Sequence, residues 1–387
     1  MPESTTTSPP MLPKRQGKTL VTGATGHLGA NLVRRLIADN VDVRVLLRPT
    51  SAGDPKSAAA TAANGLPEGV EIAQGDLNDV SALRAALSDC TTAYHCAALV
   101  STVSGDASHQ REIFATNVVG THNFLKAARQ ENVGRVVVSG SFSAIGHSID
   151  APEMPGNEDT PWFPFERTMP YERSKAHALL ECYKAAAQGQ DVVVATSCAI
   201  IGPHDYKPSR MGQALLDFSH HKLRAYIPGG FEFVAARDIV EGHILAMRDG
   251  RSGHNYVFSS EFLTLDALLN IFEDVTGRSK TRMKLPAPMM ERIARVTSPV
   301  LTRFFPNVPQ RLTPGAIRIL QMQRRADVTK AKTELGFEPT PIRTAVEEAY
   351  ACFVSRGLIV PPPAYAPPQT KSATSSARDT SAIQRAS

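Results

Sequence analysis

The feature that most constrains this chain is a run of three glycines at intervals of three residues, Thr22-Gly-Ala-Thr-Gly-His-Leu-Gly29. It follows a short β-branched strand and precedes a stretch with the apolar spacing of a helix. Glycines allow a tight turn and a close approach of the backbone to a phosphate, while a helix N-terminus offers free N–H groups. The run predicts a dinucleotide-binding loop, with a plain strand-to-helix turn as the alternative. The candidate cofactor contacts here are Gly23, Thr25, Gly26, His27, Leu28 and Gly29.

The loop opens a long alternation of strands and helices. Strands are predicted at 18–22, 41–47, 70–74, 91–96, 133–139 and 192–196, and helices at 28–39, 76–87, 113–131 and 171–188. Such an alternation is typical of an α/β fold, a Rossmann-type doubly wound parallel sheet. The second half has shorter elements, with helices predicted at 264–276, 326–335 and 341–355 and an irregular apolar stretch at 289–305.

This pattern predicts four regions along the chain. Residues 1–16 are rich in Ser, Thr and Pro and residues 360–387 are polar and small, so both are expected to be disordered, as a leader and a tail. Residues 17–200 are expected to form the dinucleotide-binding domain, to which some later segments return. Residues 201–359 are expected to form mainly a smaller substrate-binding lobe over the carboxyl ends of the strands.

Composition excludes several other classes of protein. The formal net charge of +5 is small for 387 residues and no contiguous Lys/Arg block occurs, which argues against nucleic-acid binding. The five cysteines are an odd number and include no C-x-x-C pair, so neither a disulfide framework nor a metal site is expected. Free cysteines are typical of a reducing compartment, and a cytoplasmic location is therefore expected. No apolar run approaches the ~20 residues of a transmembrane helix. The expected partner is a small-molecule substrate, and the expected state is a monomer or homodimer.

The second predicted strand indicates which dinucleotide binds. An acidic residue at its end would hydrogen-bond the ribose of NAD, but Arg48 stands there, and a guanidinium suits the 2′-phosphate of NADP. NADP is therefore the predicted cofactor, with NAD possible and a solvated Arg48 as the alternative. Arg44 on the same strand could share the role. Asp76 and Leu77, after the third strand, are placed to contact the adenine, although Asp76 could simply cap a helix. Ala97 is small enough to let the nicotinamide half pass.

A second motif, Tyr171-Glu-Arg-Ser-Lys175, carries the chemistry. Tyr171 and Lys175 are four residues apart at the start of a predicted helix and so share one face. A phenol with a pKa near 10 is a poor base, but an ammonium group and a helix N-terminus both favour the phenolate. Tyr171 could then exchange a proton with a carbonyl or alcohol oxygen. Both residues are also candidate cofactor contacts, Lys175 through the hydroxyls of the nicotinamide ribose. An incidental Tyr and Lys on a surface helix is the alternative.

A third group is expected to bind the substrate oxygen. The fifth strand ends in Val136-Val-Val-Ser-Gly-Ser-Phe-Ser143, which places Ser141 and Ser143 near the sheet edge. A hydroxyl there can hydrogen-bond a developing alkoxide, although serines also satisfy backbone groups in turns.

In their order and separation, the glycine run, the strand-end serines and Y-x-x-x-K resemble the extended short-chain dehydrogenase/reductases of the NAD-dependent epimerase/dehydratase family. The resemblance implies Ser141 as the active-site serine, with Ser143 second, and Asn117 as a residue that organises the lysine and a proton-relay water. Gly140 departs from the Ser or Thr more usual before that serine. The resemblance is greatest to dihydroflavonol-reductase-like, sterol-dehydrogenase-like and hopanoid-associated members.

The sequence supports two functions. The first is an NADP(H)-dependent oxidoreductase that interconverts a ketone and a secondary alcohol, with Tyr171 as general acid/base. The resemblance implies a lipophilic or polycyclic substrate for it. The second is a nucleotide-sugar epimerase or dehydratase that uses the same residues with tightly bound NAD, for which Arg210, Arg224 and Arg237 are available as a diphosphate clamp.

Overall fold

The computed structural model describes residues 17–49, 65–101, 103, 105–147, 154–162, 168–281, 283–304 and 313–363. The predicted leader and nearly all of the predicted tail therefore lie outside the described residues.

Seven parallel strands form the central sheet, in the order β3-β2-β1-β4-β5-β6-β9. Its strands are β1 Lys18–Thr22, β2 Val43–Leu47, β3 Glu71–Gln74, β4 Cys90–His95, β5 Arg135–Ser141, β6 Val192–Ser197 and β9 Asn255–Phe258. Every residue of β2 is buried, as expected for a strand covered on both faces. The strand order reverses between β1 and β4, the place where ligands bind in such sheets. The predicted doubly wound α/β fold is confirmed.

Two apolar layers cover the sheet, one on each face, because side chains along a strand alternate between its faces. On β1, Val21 belongs to one cluster and Leu20 to the other. The helices of the first half are α1 His27–Ala38, α2 Val80–Leu87, α3 Ala107–Phe114, α4 Gly120–Gln130 and α5 Pro170–Ala187.

The predicted helix 113–131 is three segments in the structure. One π-helical turn, Ala115–Val119, separates α3 from α4. The predicted helix 76–87 starts four residues late, because Asp79 caps α2 by accepting hydrogen bonds from the backbone of Ser81 and Ala82.

After β6 the chain builds a second, three-stranded sheet in the order β10-β8-β7. Its strands are β7 Ala199–Ile201, β8 Gly230–Ala235 and β10 Glu261–Thr264. The helices of this half are α6 Arg210–Ser219, α7 Ala236–Asp249, α8 Leu265–Thr276, α9 Ala287–Phe304, α10 Pro314–Met322, α11 Thr329–Leu335 and α12 Ile342–Ser355. The predicted helix 326–335 is shorter than expected, whereas residues 289–304 of the irregular stretch belong to the continuous helix α9 and residue 305 lies outside the described residues. Helix α7 and strand β9 return to the central sheet.

No helix among the described residues is both long and apolar enough to cross a bilayer. All five cysteines are free. The cytoplasmic location stays a prediction.

Candidate active site

The glycine loop connects the end of β1 to the first turn of α1. Gly23 has a φ of +69°, and a Cβ there would lie 2.6 Å from the backbone nitrogen of Ala97. A Cβ on Gly29 would lie 2.2 Å from the Gly23 carbonyl oxygen. Gly26 is exposed, and its hypothetical Cβ would meet only that same oxygen, at 3.3 Å. Two glycines thus permit close packing, while the third leaves open space at the N-terminus of α1, which fits an anionic pyrophosphate.

The His27 side chain turns away from this open space. Its Nε2 lies 3.1 Å from the Pro203 carbonyl oxygen, and Asn31 donates to the same oxygen at 2.8 Å. His27 therefore anchors the loop after β7 and can serve a cofactor only through its backbone. Burial lowers the pKa of His27, which favours the neutral ring. Thr25 and Leu28 are both partly buried in the same turn.

The two arginines of the second strand have different roles. Arg48 is exposed directly after β2, where a 2′-phosphate could reach it. Arg44 is buried and donates to Glu71 at 2.8 Å and to Asp89 at 2.8 Å. The expectation that Arg44 shares the phosphate-binding role is wrong, because its guanidinium is held by these carboxylates and by two backbone carbonyls.

Asp76 and Leu77 follow β3 but differ in accessibility. One carboxylate oxygen of Asp76 accepts hydrogen bonds from the backbone and side chain of Asn78, each at 2.9 Å. The alternative that Asp76 caps the helix is wrong, since Asp79 does so. The Leu77 side chain is buried in the core against Gly120, where a Cβ would lie 2.9 Å away. Leu77 could therefore meet a cofactor only through its backbone.

A buried polar row fixes the strand ends beside Ala97. Thr22 Oγ1 lies 2.8 Å from His95 Nδ1 and accepts a hydrogen bond from the Ala97 N–H at 3.3 Å. On its other side, His95 Nε2 lies 3.2 Å from Thr121 Oγ1. Burial lowers the pKa of His95 to about 3, so this ring is neutral and structural. The row ties β1, β4 and α4 together where the nicotinamide half is expected to pass.

Tyr171 and both candidate serines meet at the carboxyl end of β5. Ser141 lies close enough to the Tyr171 hydroxyl to lower its pKa. Ser141 Oγ lies 2.6 Å from Ser143 Oγ and also accepts the Ser143 N–H at 3.3 Å. The short 3₁₀ turn Phe142–Ala144, which Ser141 caps, brings the second serine back to the first. Both residues that the sequence could not choose between therefore lie in one hydroxyl cluster.

Lys175 lies one helical turn after Tyr171 and is buried. Its Nζ donates to the Ser139 carbonyl oxygen at 2.7 Å, and Ser139 Oγ lies 2.7 Å from His243 Nε2. His243 Nδ1 lies 2.7 Å from the Ile239 carbonyl and must donate to it, so Nε2 accepts from Ser139. The lysine is thus held on β5, which is in turn fixed by α7 from the opposite face of the sheet.

The pKa of Tyr171 shifts opposite to the sequence expectation. Burial raises it, and the proximity of Ser141 offsets only part of that rise. Lys175 does not lower it, because the ammonium group is directed at the Ser139 carbonyl. Burial also lowers the pKa of Lys175 to about 8. At neutral pH the Tyr171 phenol is therefore protonated, and the Lys175 ammonium group loses its proton at a pH only slightly above neutral.

Asn117 lies in the π-helical turn and is hydrogen-bonded directly to α5, the helix that carries Tyr171 and Lys175. Its amide donates to Ser174 Oγ at 2.9 Å and to the Leu99 carbonyl at 3.0 Å, while its oxygen accepts the Leu99 N–H at 2.7 Å. Ser174 precedes Lys175 in α5. Asn117 therefore joins the segment after β4 to the catalytic helix, and a π-helical turn is a common way to direct a side chain into a site.

Gly140 has a steric reason to differ from Ser or Thr. A Cβ there would lie 2.1 Å from Thr196 Oγ1, which itself donates to Asn255 at 2.7 Å. The strands nevertheless stay in register, with Gly140 beside Thr196 and Ser141 beside Ser197. Ser141 keeps its place at the strand end.

Three supporting residues escaped the sequence reasoning. Ser139 and His243 are hydrogen-bonded to each other although they are 104 positions apart in the sequence, and no local pattern reveals such a pair. Glu172 follows Tyr171 and accepts from the Met169 N–H at 2.7 Å and from Arg318 at 2.8 Å. The sequence did contain a signal for Glu172: it is the third residue of a helix that starts at Pro170, and an acidic residue at that position often caps the start of a helix.

The chain has clear relatives. The family model for the NAD dependent epimerase/dehydratase family matches residues 19–258. Sterol demethylase protein B of Methylococcus capsulatus is 40% identical over 341 residues, which are 88% of this chain and 99% of that protein. A putative dihydroflavonol 4-reductase of Synechocystis is 30% identical over 88% of this chain and 95% of its own length.

Solved structures agree in fold. The crystal structure of gox2253 matches with a TM-score of 0.73 and 29% identity, over 89% of this chain and 100% of that one. DesIV, a dTDP-glucose 4,6-dehydratase of Streptomyces venezuelae solved with NAD and TYD, matches with a TM-score of 0.67 and 24% identity over 88% and 98% of the two chains. From the family match and the 40% relative, this chain belongs to the NAD-dependent epimerase/dehydratase family.

Proposed function

We propose that this protein is an NADP(H)-dependent oxidoreductase that interconverts a ketone and a secondary alcohol on a small, lipophilic or polycyclic substrate. The observation that carries the proposal is the contact of Lys175, one turn after Tyr171 on α5, with the Ser139 carbonyl at 2.7 Å, two residues before Ser141 at the end of β5. This arrangement places a proton donor and a second hydroxyl together at the carboxyl end of β5, the edge where the glycine loop also lies.

Tyr171, Ser141 and Lys175 have different roles in the proposed reaction. In reduction, Tyr171 donates its proton to the substrate oxygen while the Ser141 hydroxyl hydrogen-bonds that oxygen and stabilises its developing charge. Tyr171 is protonated at neutral pH, as this step requires, although burial, which raises its pKa, also makes it a weaker acid. Lys175 orients ribose hydroxyls and can return a proton to Tyr171. A bound nicotinamide would supply or accept the hydride.

Arg48 supports NADP over NAD. It is exposed at the strand end, and its guanidinium can form paired hydrogen bonds with a phosphate. The exposed space at Gly26 and the N-terminus of α1 would receive the pyrophosphate.

The relatives support the class of substrate. The protein that is 40% identical is named for sterol demethylation, and a relative from Arabidopsis thaliana, 27% identical, is named a 3beta-hydroxysteroid-dehydrogenase/decarboxylase. By analogy, residues 201–359 would supply most of the substrate-binding lobe of this chain.

The nucleotide-sugar alternative has weaker support. Of the three arginines considered for a diphosphate clamp, Arg237 forms an ion pair with Glu348 on α12. A clamp would have to break that pair. An epimerase would also retain NAD through purification. An assay of the cofactor bound to the isolated protein tests this directly.

The test of the mechanism is Tyr171→Phe. Assayed with NADPH and a panel of ketones, sterols and nucleotide sugars, the variant should lose roughly 10²–10⁴-fold in kcat, because it lacks the proton donor. Its affinity for NADPH, measured by fluorescence titration, should stay within about twofold, since the glycine loop and Arg48, which are expected to bind the phosphates, are unchanged.

Tyr183→Phe on the same helix is the matched control and should keep full activity. Equal activity of Tyr171→Phe and the parent would refute the mechanism. Turnover of a nucleotide sugar without consumption of NADPH would instead support the epimerase.

A further inference from the structure

Helix α9 presents an apolar stripe to solvent. Met289 is 46% exposed, Ile293 45% and Val296 70%, and their spacing of four and then three residues places them on one side of the helix. On the neighbouring side, Ala294 packs against Ile317 and Leu320 of α10. The helix is therefore apolar over two adjacent faces, and only one of them is covered by protein.

The stretch that leads into α9 and includes its first three turns is basic. Residues 278–297 contain six basic residues and one acidic residue, a net of +5, which equals the formal charge of the complete chain. Two of the six, Lys280 and Lys284, lie against Asp266. Arg295 pairs with Glu291 at 2.8 Å, and Arg292 is exposed beside the stripe, without an acidic partner among the described residues.

An exposed apolar stripe bordered by arginines is the pattern of a helix that lies flat in a bilayer surface. The apolar side chains enter the acyl boundary, and the cations stay at the level of the lipid phosphates. We propose that α9 docks its Met289–Ile293–Val296 face on an anionic phospholipid surface.

The charge argues for lipid rather than for a second copy of this chain. A two-fold dimer through this face would bring the same patch of each copy together. Arg292 of each copy would then be brought into a desolvated contact that supplies no acidic partner from the described residues of the same face, which is unfavourable. An anionic bilayer offers the complementary charge over the whole patch.

The position of α9 connects the surface to the site. Ala294 packs on α10, and Arg318 of α10 donates to Glu172, the residue after Tyr171. A protein docked through α9 would hold the elements over the catalytic helix close to the bilayer. The docking does not depend on the proposed reaction and is tested separately from it.

The experiment is co-sedimentation of the full chain with vesicles. With mixed phosphatidylcholine and phosphatidylglycerol vesicles the parent should bind, with pure phosphatidylcholine it should bind at least about fivefold less, and at about 1 M salt, where the Debye length is about 3 Å, most binding should be lost. Val296→Glu should weaken binding roughly tenfold, because it puts a carboxylate in the acyl boundary. Leu180→Glu introduces the same carboxylate at an apolar residue that is 43% exposed on α5 and should bind like the parent.

Circular dichroism and size-exclusion chromatography accompany each variant. Arg292→Gln tests the charge without disturbing the apolar stripe and should lower binding to the anionic vesicles only. Failure of the parent to bind anionic vesicles, or equal binding by Val296→Glu and Leu180→Glu, would overturn the proposal. A dimeric parent that becomes monomeric in Val296→Glu would show that the face joins two copies, which also overturns it.

Discussion

Arg44 and Arg48 show how far one side chain's role depends on partners distant in sequence. They are four residues apart, yet one is buried between two carboxylates and the other is exposed at the strand end. Glu71 and Asp89, which hold Arg44, come from β3 and from the turn before β4. Their positions in the sequence make both arginines candidates for binding the 2′-phosphate. Only the packing of the neighbouring strands shows that Arg44 is not available for it.

The two arginines give opposite predictions. Arg48→Ala should weaken NADPH binding about tenfold or more and leave NADH binding within about twofold, because only NADPH has the 2′-phosphate. Arg44→Ala should lower the free energy of unfolding by about 1–3 kcal/mol and leave the ratio of the two affinities unchanged. Fluorescence titration and urea unfolding measure the two effects. An equal loss of NADH and NADPH binding in Arg48→Ala would remove Arg48 from the 2′-phosphate site.

At the scale of the element, the glycine loop combines two requirements in one short motif. Gly29 lies against Gly23, whereas Gly26 lies at the exposed helix start. The spacing of the glycines predicted the loop. It could not distinguish the glycine needed for packing from the one at the exposed helix start, because both occur at the same interval. Helix α3 and its continuation α4 show a related limit, because apolar periodicity predicts one helix and gives no sign of the single π-helical turn that carries Asn117.

Substituting the two glycines should separate folding from binding. Gly29→Ala should lower the free energy of unfolding by about 1–3 kcal/mol or more, since the new methyl would overlap the Gly23 carbonyl. Gly26→Ala should fold with a small loss and bind NADPH roughly tenfold more weakly, because its methyl occupies the surface that a pyrophosphate approaches. Thermal unfolding and cofactor titration distinguish them. If Gly26→Ala binds NADPH as the parent does, the phosphates do not lie there.

At the scale of the whole molecule, buried neutral histidines link stability to pH. His95 lies in the row that ties β1 to α4, and His243 lies on α7 on the other side of the sheet. Burial lowers the pKa of His95 to about 3 and of His243 to about 4, against about 6.5 in an unfolded chain. Between those values the unfolded chain binds protons that the folded protein does not, so acid favours unfolding.

The free energy of unfolding should therefore fall as the pH drops from about 6.5 to about 4. For His243 alone the contribution is on the order of 3 kcal/mol. Denaturant unfolding at a series of pH values measures the slope. His243→Gln cannot take up the proton and should show a shallower fall than the parent. An identical slope in the two proteins would contradict a buried neutral His243.

Much of this protein is determined by local sequence. The glycine spacing after a β-branched strand, the alternation of strands and helices, and Tyr171 and Lys175 four residues apart were sufficient for the fold and for the candidate site, because each rests on the period of a single element or on one turn. The fold is confirmed, and the roles of the site residues stay predictions.

The tertiary structure decided what depends on contacts between distant residues. It removed Arg44 from the cofactor site and directed Lys175 to the Ser139 carbonyl, so that burial raises the pKa of Tyr171 where the sequence alone suggested the reverse. It also left one apolar face of α9 exposed. Burial and electrostatic partners are set by segments tens to hundreds of residues apart, so a motif determines which groups are present, and packing determines their surroundings.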